Sequence, residues 1–417
     1  MAALRRRAPE RPLRVDDGPD RGTLIAALVV VALGAVAILV GSSLGRDEHG
    51  TDGSFRDALP AIPAFRATEL GPVREHGRVA ARDNGQSARY GDRSVWVFGD
   101  TVLRSPEGFL SNSGASTTDL RASDGVTLTG TDVFGSDAES PAALITHTPA
   151  ETAWERQHDP STGCSPATDV YCGAKFAYWP GPVIADPRRA RVLVFYVKLC
   201  RSGGADTPCS GPYGRALGTG IAELDMRTHR VSRLTAAHVK PVRSIEGEDP
   251  TMFFPPADSY NAAAMVVGQE AYVYGDCTDR CHLARAPLDR ITDRSRWTFY
   301  TGRDSSGAAR WSPDAGKAAD TVLAGAAGNT VLWVPALRSW LNVYLPYGDN
   351  TLRAQIGGSP YGPWSKEIRL LTTRGKGINY AGFGHPEFAE RDGLVQYLTY
   401  FQADTGAQRL VKVTFAD

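Results

Sequence analysis

The segment SVWVFGDT at residues 94–101 decides the fold, because four later segments of the chain share its pattern. All five are short runs of β-branched and aromatic residues between turn signals, which is typical of β-strands. The other four are RVLVFYVK at 191–198, EAYVYGDC at 270–277, SWLNVYLPY at 339–347 and LVQYLTYF at 394–401. Each follows a shorter apolar run across a polar turn, as RVAARD at 78–83 precedes the first.

This fivefold recurrence predicts an all-β, five-bladed β-propeller. Counting the weaker strand candidates as well gives roughly 20 strands, or five units of about four strands each. The units are irregularly spaced, so a simple repeat array is excluded. A pair of β-sandwiches is the alternative, which the chain length and the fivefold recurrence disfavour.

Composition narrows the functional classes. The 417 residues include 46 basic and 46 acidic side chains, and 42% are hydrophobic. A chain this apolar is not globally disordered, and a balanced charge argues against nucleic-acid binding. The sequence contains no P-loop, G-x-G-x-x-G or H-E-x-x-H pattern, which argues against nucleotide-dependent and zincin chemistry. We therefore expect no nucleotide, no cofactor and no metal.

The N-terminal region has the pattern of a membrane anchor. Residues 23–45 are uncharged and of about the length that a bilayer-spanning helix requires, roughly 20 residues. Six arginines precede this segment, so residues 1–22 are predicted to be cytoplasmic and the rest extracellular. A cleaved signal peptide, which would release a secreted protein, is the alternative. Residues 46–75 are interpreted as a linker, and residues 76–417 as the propeller.

The cysteines agree with export. All six lie beyond the predicted anchor, in three closely spaced pairs: Cys164 and Cys172, Cys200 and Cys209, and Cys277 and Cys281. Six cysteines allow 15 connectivities, and we predict pairing in sequence order, since disulfides persist outside the cell. A zinc site is the alternative, but no C-x-x-C with a second such pair is present.

Two aspartates are the first catalytic candidates. Asp83 ends the first apolar run, and Asp100 ends the aromatic strand that follows it. Two carboxyl groups on one hairpin suit glycoside hydrolysis, which uses one protonated and one ionised carboxyl group. The structural alternative is that Asp100 caps a turn and that Asp83 pairs with Arg82 or Arg93.

Other polar and aromatic residues are weaker candidates for sugar binding. His385 and Glu387 lie between aromatic residues and prolines, Asn112 lies in a Ser/Gly loop, and Trp179 could stack on a sugar face. The acidic segment SIEGEDPTMFF at 244–254 is interpreted as a solvated loop.

These residues resemble the family DUF4185, a domain of unknown function. The resemblance rests on RDNGQS followed by SVWVFGDT, then YVYG, WVPALRSWLNVYLPY, SPYGPWS and HPEF in that order, and it spans about residues 75–417. It implies a five-bladed propeller similar to glycoside hydrolases, some of them endo-D-arabinanases, with Asp83 and Asp100 facing the funnel. Asn84 stands in RDNG where the family motif has glycine, and asparagine tolerates the positive φ of such turns.

The leading functional hypothesis is a membrane-anchored extracellular glycoside hydrolase of a cell-envelope polysaccharide, plausibly an endo-D-arabinanase. A non-catalytic glycan-binding or scaffold propeller is the alternative, and it predicts funnel acids that are neutralised by arginine or sealed from solvent. A sialidase-like propeller is weaker, because no arginine cluster for a substrate carboxylate is evident.

Overall fold

The computed structural model describes residues 59–104, 107–129, 141–201, 207–210, 213–275, 281–321, 323–326 and 328–416. The predicted cytoplasmic segment 1–22 and anchor 23–45 lie outside these ranges, so both stay predictions. Within them, no helix has the length and apolar character needed to cross a bilayer.

The described residues form a five-bladed β-propeller, with strands numbered in chain order. Strands β1 (Phe65–Pro72) and β2 (Arg74–Glu75) precede blade 1. Blade 1 contains β3 (Val79–Tyr90), β4 (Arg93–Leu103), β5 (Gly108–Leu110) and β6 (Ser113–Thr117), and β7 (Thr127–Leu128) pairs with β2. Blade 2 contains β8 (Lys175–Asp186), β9 (Arg191–Arg201), β10 (Arg215–Asp225) and β11 (Val231–Arg233).

Three short strands connect blades 2 and 3: β12 (Val242–Ser244), β13 (Gly247–Asp249) and β14 (Met252–Phe254). Blade 3 contains β15 (Ala263–Val267), β16 (Glu270–Gly275), β17 (His282–Pro287), β18 (Thr298–Arg303) and β19 (Ala309–Ser312). Blade 4 contains β20 (Thr330–Val334), β21 (Ser339–Tyr344), β22 (Thr351–Gly357) and β23 (Ile368–Thr372). Blade 5 contains β24 (Tyr380–Gly384), β25 (Val395–Gln402) and β26 (Ala407–Phe415).

Helices are short and lie in the connections. The α-helix α1 (Pro149–Gln157) leads into blade 2, and its capping box joins Thr148 and Glu151. Single 3₁₀ turns occur at Ala122–Asp124, Pro160–Thr162, Pro187–Arg189, Pro256–Asp258, Leu288–Arg290, Arg294–Arg296, Ala315–Lys317, Pro386–Phe388 and Arg391–Gly393.

The innermost strands of the blades form a closed ring. Strand β3 contacts β8, then β15, β20 and β24 follow in turn, and β24 contacts β3 again. The five aromatic segments become the second strands of the blades, β4, β9, β16, β21 and β25. The prediction of a five-bladed propeller is therefore confirmed, and each shorter apolar run contributes to an inner strand.

Strand β1 closes the ring and corrects the predicted domain boundary. It pairs antiparallel with β26 from Phe65↔Phe415 to Pro72↔Arg409, so blade 5 is built from both ends of the described chain. The prediction placed a linker at 46–75 and began the propeller at residue 76. Residues 65–72 instead belong to the propeller, since their backbone groups complete a sheet.

The core is divided among the interfaces between blades. Separate apolar clusters join blades 1 and 2, 2 and 3, 3 and 4, 4 and 5, and 5 and 1. The aromatic strand residues fill these interfaces, with Trp96, Tyr196 and Tyr272 among the fully buried side chains. Sheets packed face to face in this way leave a space at the centre of the ring.

Two of the three predicted disulfides are confirmed. Cys164 pairs with Cys172, and Cys200 pairs with Cys209. Cys281 is buried, and its predicted partner Cys277 lies outside the described residues. The second bridge sits at the end of β9, directly before Arg201.

Replacing Glu69 in β1 tests the ring closure. The nearly buried Glu69 carboxylate accepts hydrogen bonds from Arg409 Nε and Tyr400 Oη, both at 2.9 Å. We expect Glu69→Ala to lower the free energy of unfolding by about 2 kcal/mol, because it leaves a charged donor without its partner. Urea unfolding would measure this, with the exposed Thr68→Ala as a control on the same strand. Equal stability of both variants would contradict the closure by β1.

Candidate active site in the central funnel

A cavity lies at the centre of the ring, where all five blades contribute to its wall. Its volume is about 90 Å³, several times the minimum of about 10–15 Å³ that a cavity needs to hold a water molecule. The polar and aromatic lining residues include Asp83 from blade 1, Trp179 from blade 2, Asn261 at the start of blade 3, Tyr347 from blade 4 and Tyr380 from blade 5.

Irregularities in the inner strands direct side chains into this cavity. The register of β3 shifts on both sides of Asn84, and the register of β24 shifts between Tyr380 and Phe383. Asn84 (φ 67°) and Ala381 (φ 56°) adopt left-handed backbone conformations, which residues with a Cβ rarely do. They directly follow Asp83 and Tyr380, so a strained backbone position lies next to each of these two cavity-lining residues.

Asp83 is the carboxyl group of the cavity wall. It is buried, and its Oδ2 accepts a hydrogen bond from Tyr380 Oη at 2.9 Å. Burial and the nearby Asp100 carboxylate raise the pKa of Asp83 from 3.8 to about 8. Gly99 is required beside it, because a Cβ at that position would overlap Asp83 Oδ1. Asp83 therefore carries a proton at neutral pH.

Asp100 lies behind Asp83 and is fully buried. Both of its carboxylate oxygens are 2.9 Å from Arg201 Nη2, and Trp179 Nε1 donates a hydrogen bond to Oδ1 at 3.0 Å. Burial raises the pKa of Asp100, while Arg201 and Trp179 stabilise its ionised form. Because two close carboxylates cannot both ionise cheaply, the proton resides on Asp83 and the charge on Asp100.

The structure therefore brings the two predicted aspartates together but gives them different exposure. Asp83 lines the cavity, whereas Asp100 does not. The alternative ion pairs for Asp83 are wrong, because Arg82 binds Glu75 and Arg93 contacts Asp92. Trp179 lines the cavity as predicted, although its indole N–H is engaged by Asp100 and its ring packs against the Arg201 guanidinium at 4.7 Å.

His385 and Glu387 do not line the cavity, so the structure does not bring these two predicted sugar-binding residues together with Asp83. They lie between blades 5 and 1, where Ser87 Oγ is 2.6 Å from His385 Nδ1 and donates to Glu387 Oε1. The imidazole stacks on Trp96 at 4.3 Å, and burial lowers the pKa of His385 to about 3. Burial also raises the pKa of Glu387. Both side chains therefore form hydrogen bonds across the interface between these two blades.

Asn112 is likewise not among the residues that line the cavity. Its Oδ1 accepts from the Ile145 backbone N–H at 2.7 Å, and its Nδ2 donates to the Ile145 carbonyl at 3.2 Å. Each of these bonds satisfies a buried backbone group. Asn112 therefore fixes the connection that follows blade 1.

The acidic segment 244–254 was predicted to be a solvated loop, and this is wrong for two of its acids. Glu246 and Asp249 join Glu151 around the fully buried Lys198, whose Nζ is 2.6 Å from Glu151 and 2.8 Å from Asp249. Burial would raise the pKa of Glu151, but Arg233 and Lys198 hold it at about 2. In the described residues only these three carboxylates are grouped at metal-ligand spacing, and the two basic side chains already occupy that space.

Four residues of this region were missed by sequence reasoning: Arg201, Asn261, Tyr347 and Tyr380. Tyr380 and Asn261 each lie within or beside an apolar run that precedes an aromatic segment, as Asp83 does. The rule that selected Asp83, a polar residue at the end of an inner strand, would have found both. Nothing comparable marks Arg201 or Tyr347.

The family model of DUF4185, a domain of unknown function, matches residues 235–405, which confirms the resemblance over that part of the chain. No curated protein matches the sequence. Among solved structures, the catalytic domain of a GH62 alpha-L-arabinofuranosidase from Coprinopsis cinerea is 11% identical with a TM-score of 0.38, covering 86% of this chain and 98% of its own.

A GH43_1 enzyme from Xanthomonas citri complexed with xylotriose is 12% identical with a TM-score of 0.41, covering 84% of this chain and 90% of its own. An alpha-L-arabinanase variant from Cellvibrio cellulosa is 12% identical with a TM-score of 0.39, covering 80% and 91%. Structural similarity at this level of sequence identity does not show that two proteins share an activity.

The raised pKa of Asp83 predicts a pH-dependent gain in stability on its replacement. A carboxyl group that ionises at pH 3.8 when unfolded and at about 8 when folded destabilises the folded protein increasingly as the pH rises between these values. We expect Asp83→Asn to be more stable than the wild type at pH 8 by a larger margin than at pH 5. Urea unfolding at both pH values would show this, with the exposed Asp92→Asn as the control. A constant margin would contradict the assignment.

Removing Arg201 tests the neutralisation of Asp100. We expect Arg201→Met to lower the free energy of unfolding by about 3 kcal/mol or more, because a buried carboxylate loses its cation. Adding Asp100→Asn to Arg201→Met is expected to recover most of this loss. The exposed Arg215→Met serves as the control in the same urea titrations. Additive effects of the two substitutions would show that the pair does not interact.

Proposed function

We propose that this chain is a membrane-anchored, extracellular glycoside hydrolase that acts on an uncharged cell-envelope polysaccharide, with an arabinan as the first substrate to test. The observation that carries the proposal is the buried Asp83 carboxyl group in the wall of the central cavity, which accepts a hydrogen bond from Tyr380 and lies beside Asp100. The anchor and the extracellular location rest on the sequence of residues 1–45 alone.

Asp83 has the properties of a general acid. Glycoside cleavage requires a proton on the leaving oxygen, and a carboxyl group whose pKa is about 8 still holds its proton at neutral pH. Tyr380 donates its hydroxyl hydrogen to Oδ2 and so orients the carboxyl group.

Asp100 lies behind Asp83 and helps to keep Asp83 protonated. Its negative charge favours the protonated form of Asp83, and Arg201 keeps that charge from destabilising the core. For Asp100 to act directly as base or nucleophile, its bonds to Trp179 and Arg201 would have to be exchanged for a substrate or water. We therefore assign Asp83 the acid role and Asp100 a positioning role. Asp83 gives its proton to the leaving oxygen as the glycosidic bond breaks, a water molecule bonds to the anomeric carbon, and the proton that this water releases restores Asp83.

The composition of the cavity suits an uncharged sugar. The described lining residues include no lysine or arginine, which a sialic or uronic acid would call for. Apolar groups such as Trp179, Leu345 and Phe383 offer faces for the C–H groups of a sugar ring. The xylotriose and arabinanase of the similar solved structures make xylan and arabinan natural first probes.

A non-catalytic glycan-binding propeller is the second candidate. The complete burial of Asp100 and its bonds to Arg201 favour it, because a neutralised and sealed acid takes no part in chemistry. Asp83 does not meet the same condition, since it lines the cavity and contacts no cation directly.

Hydrolysis assays separate the two candidates. The full-length chain in detergent is incubated with arabinan, and new reducing ends are counted. We expect Asp83→Asn to reduce the rate by at least about 100-fold, since general acid catalysis contributes this much or more. The wild-type rate is expected to fall on the alkaline side with an apparent pKa of about 8.

The exposed Asp92→Asn, which lies on the same hairpin, is expected to retain full activity. Retention of arabinan by the wild type without any release of sugar, unchanged by Asp83→Asn, would support the binding propeller instead.

A further inference from the structure

The side chain of Asn261 lies in the cavity wall. It is 5% exposed, and within the described residues its Oδ1 has no hydrogen-bond partner. A buried amide group that forms no hydrogen bond destabilises the folded protein, so such a group normally has a partner.

The backbone beside Asn261 is shaped around its amide group. A Cβ on Gly181 would lie 2.5 Å from both Oδ1 and Nδ2 of Asn261. Gly181 lies in the irregular part of β8, where the register shifts between Pro180 and Val183. Blade 2 therefore makes room for the amide without donating to it or accepting from it.

A second polar atom lines the cavity in the same condition. The hydroxyl oxygen of Tyr347 is buried and has no hydrogen-bond partner among the described residues. Tyr347 follows the second strand of blade 4, while Asn261 enters the inner strand of blade 3. These free groups thus come from blades 3 and 4, whereas Asp83 and its partner Tyr380 come from blades 1 and 5.

We infer that Asn261 is a specificity-determining residue that binds two adjacent hydroxyl groups of an uncharged sugar in the cavity, with Tyr347 binding a further hydroxyl group. A carboxamide both donates and accepts, so its N–H meets one hydroxyl oxygen while its oxygen accepts from the next hydroxyl. This inference rests on the proposed function for the position of the sugar beside Asp83, but not on turnover.

The test measures binding in the Asp83→Asn background of the full-length chain, where turnover is minimal. The probes are a linear arabino-trisaccharide, its xylo counterpart, and the arabino-trisaccharides that lack one hydroxyl group of the central residue. We expect Asn261→Ala to weaken binding of the parent trisaccharide about 10-fold or more. It should then bind the two deoxy-trisaccharides that lack either of these adjacent hydroxyl groups as well as it binds the parent, whereas the protein with Asn261 intact discriminates against both.

Stability separates a binding role from a structural one. Because Asn261 Oδ1 has no hydrogen-bond partner among the described residues, Asn261→Ala is expected to leave the melting temperature unchanged or to raise it. Tyr347→Phe is expected to weaken binding by a smaller factor, and Tyr90→Phe, outside the cavity lining, is the matched control with unchanged binding.

The outcomes distinguish this inference from the proposed function. If Asn261→Ala loses the discrimination between parent and deoxy-trisaccharides while the wild type releases no sugar, the inference about Asn261 is retained and the proposed hydrolase activity is contradicted. Equal affinity of Asn261→Ala and its parent, or no binding of either trisaccharide, would overturn the inference, and the cavity would then hold only water at Asn261.

Discussion

Closure of the ring is the constraint on which the site depends. Strand β1 pairs with β26 and so completes blade 5 from the beginning of the propeller. Only a closed ring holds β24 against β3, and this contact sets Tyr380 within hydrogen-bond distance of Asp83. The residues of the site are separated by up to about 300 positions in sequence, so no local interaction could gather them.

The site itself is made by departures from regular strand geometry. Regular strands alternate their side chains, and an even alternation would send successive residues to opposite faces of each blade. The register shifts in β3, β8 and β24 break this alternation at the points nearest the cavity. Left-handed conformations at Asn84 and Ala381 are the local cost, which the packing of the blades stabilises.

The sequence predicts the blades well, because runs of aromatic and β-branched residues are typical of strands that are buried on both faces. It predicts Asp83 by similar reasoning. A carboxylate at the end of such a run is costly to bury in the apolar core, so it is expected in the funnel. His385 and Glu387 fit the same description, yet they bond to Ser87 at a blade interface and do not line the cavity. Which buried polar residue faces the cavity depends on bulges and on packing between distant blades, and neither leaves a local pattern. Strand β1 was not predicted, because one of its faces is exposed and prolines lie near its ends. This pattern is also typical of a linker.

The arrangement of Asp83 and Asp100 argues for proton transfer rather than for binding alone. A wall that only bound sugar would be served by asparagine at position 83, which accepts the same hydrogen bond from Tyr380 and has no desolvation penalty as an ion. Keeping an ionisable group there, beside a second carboxylate, costs stability at neutral pH. Arg201 and Trp179 limit this cost by stabilising the ionised form of Asp100, and under the proposed function Asp83 is the group that exchanges its proton. Such separated roles for two close carboxyl groups are characteristic of sites that perform acid catalysis.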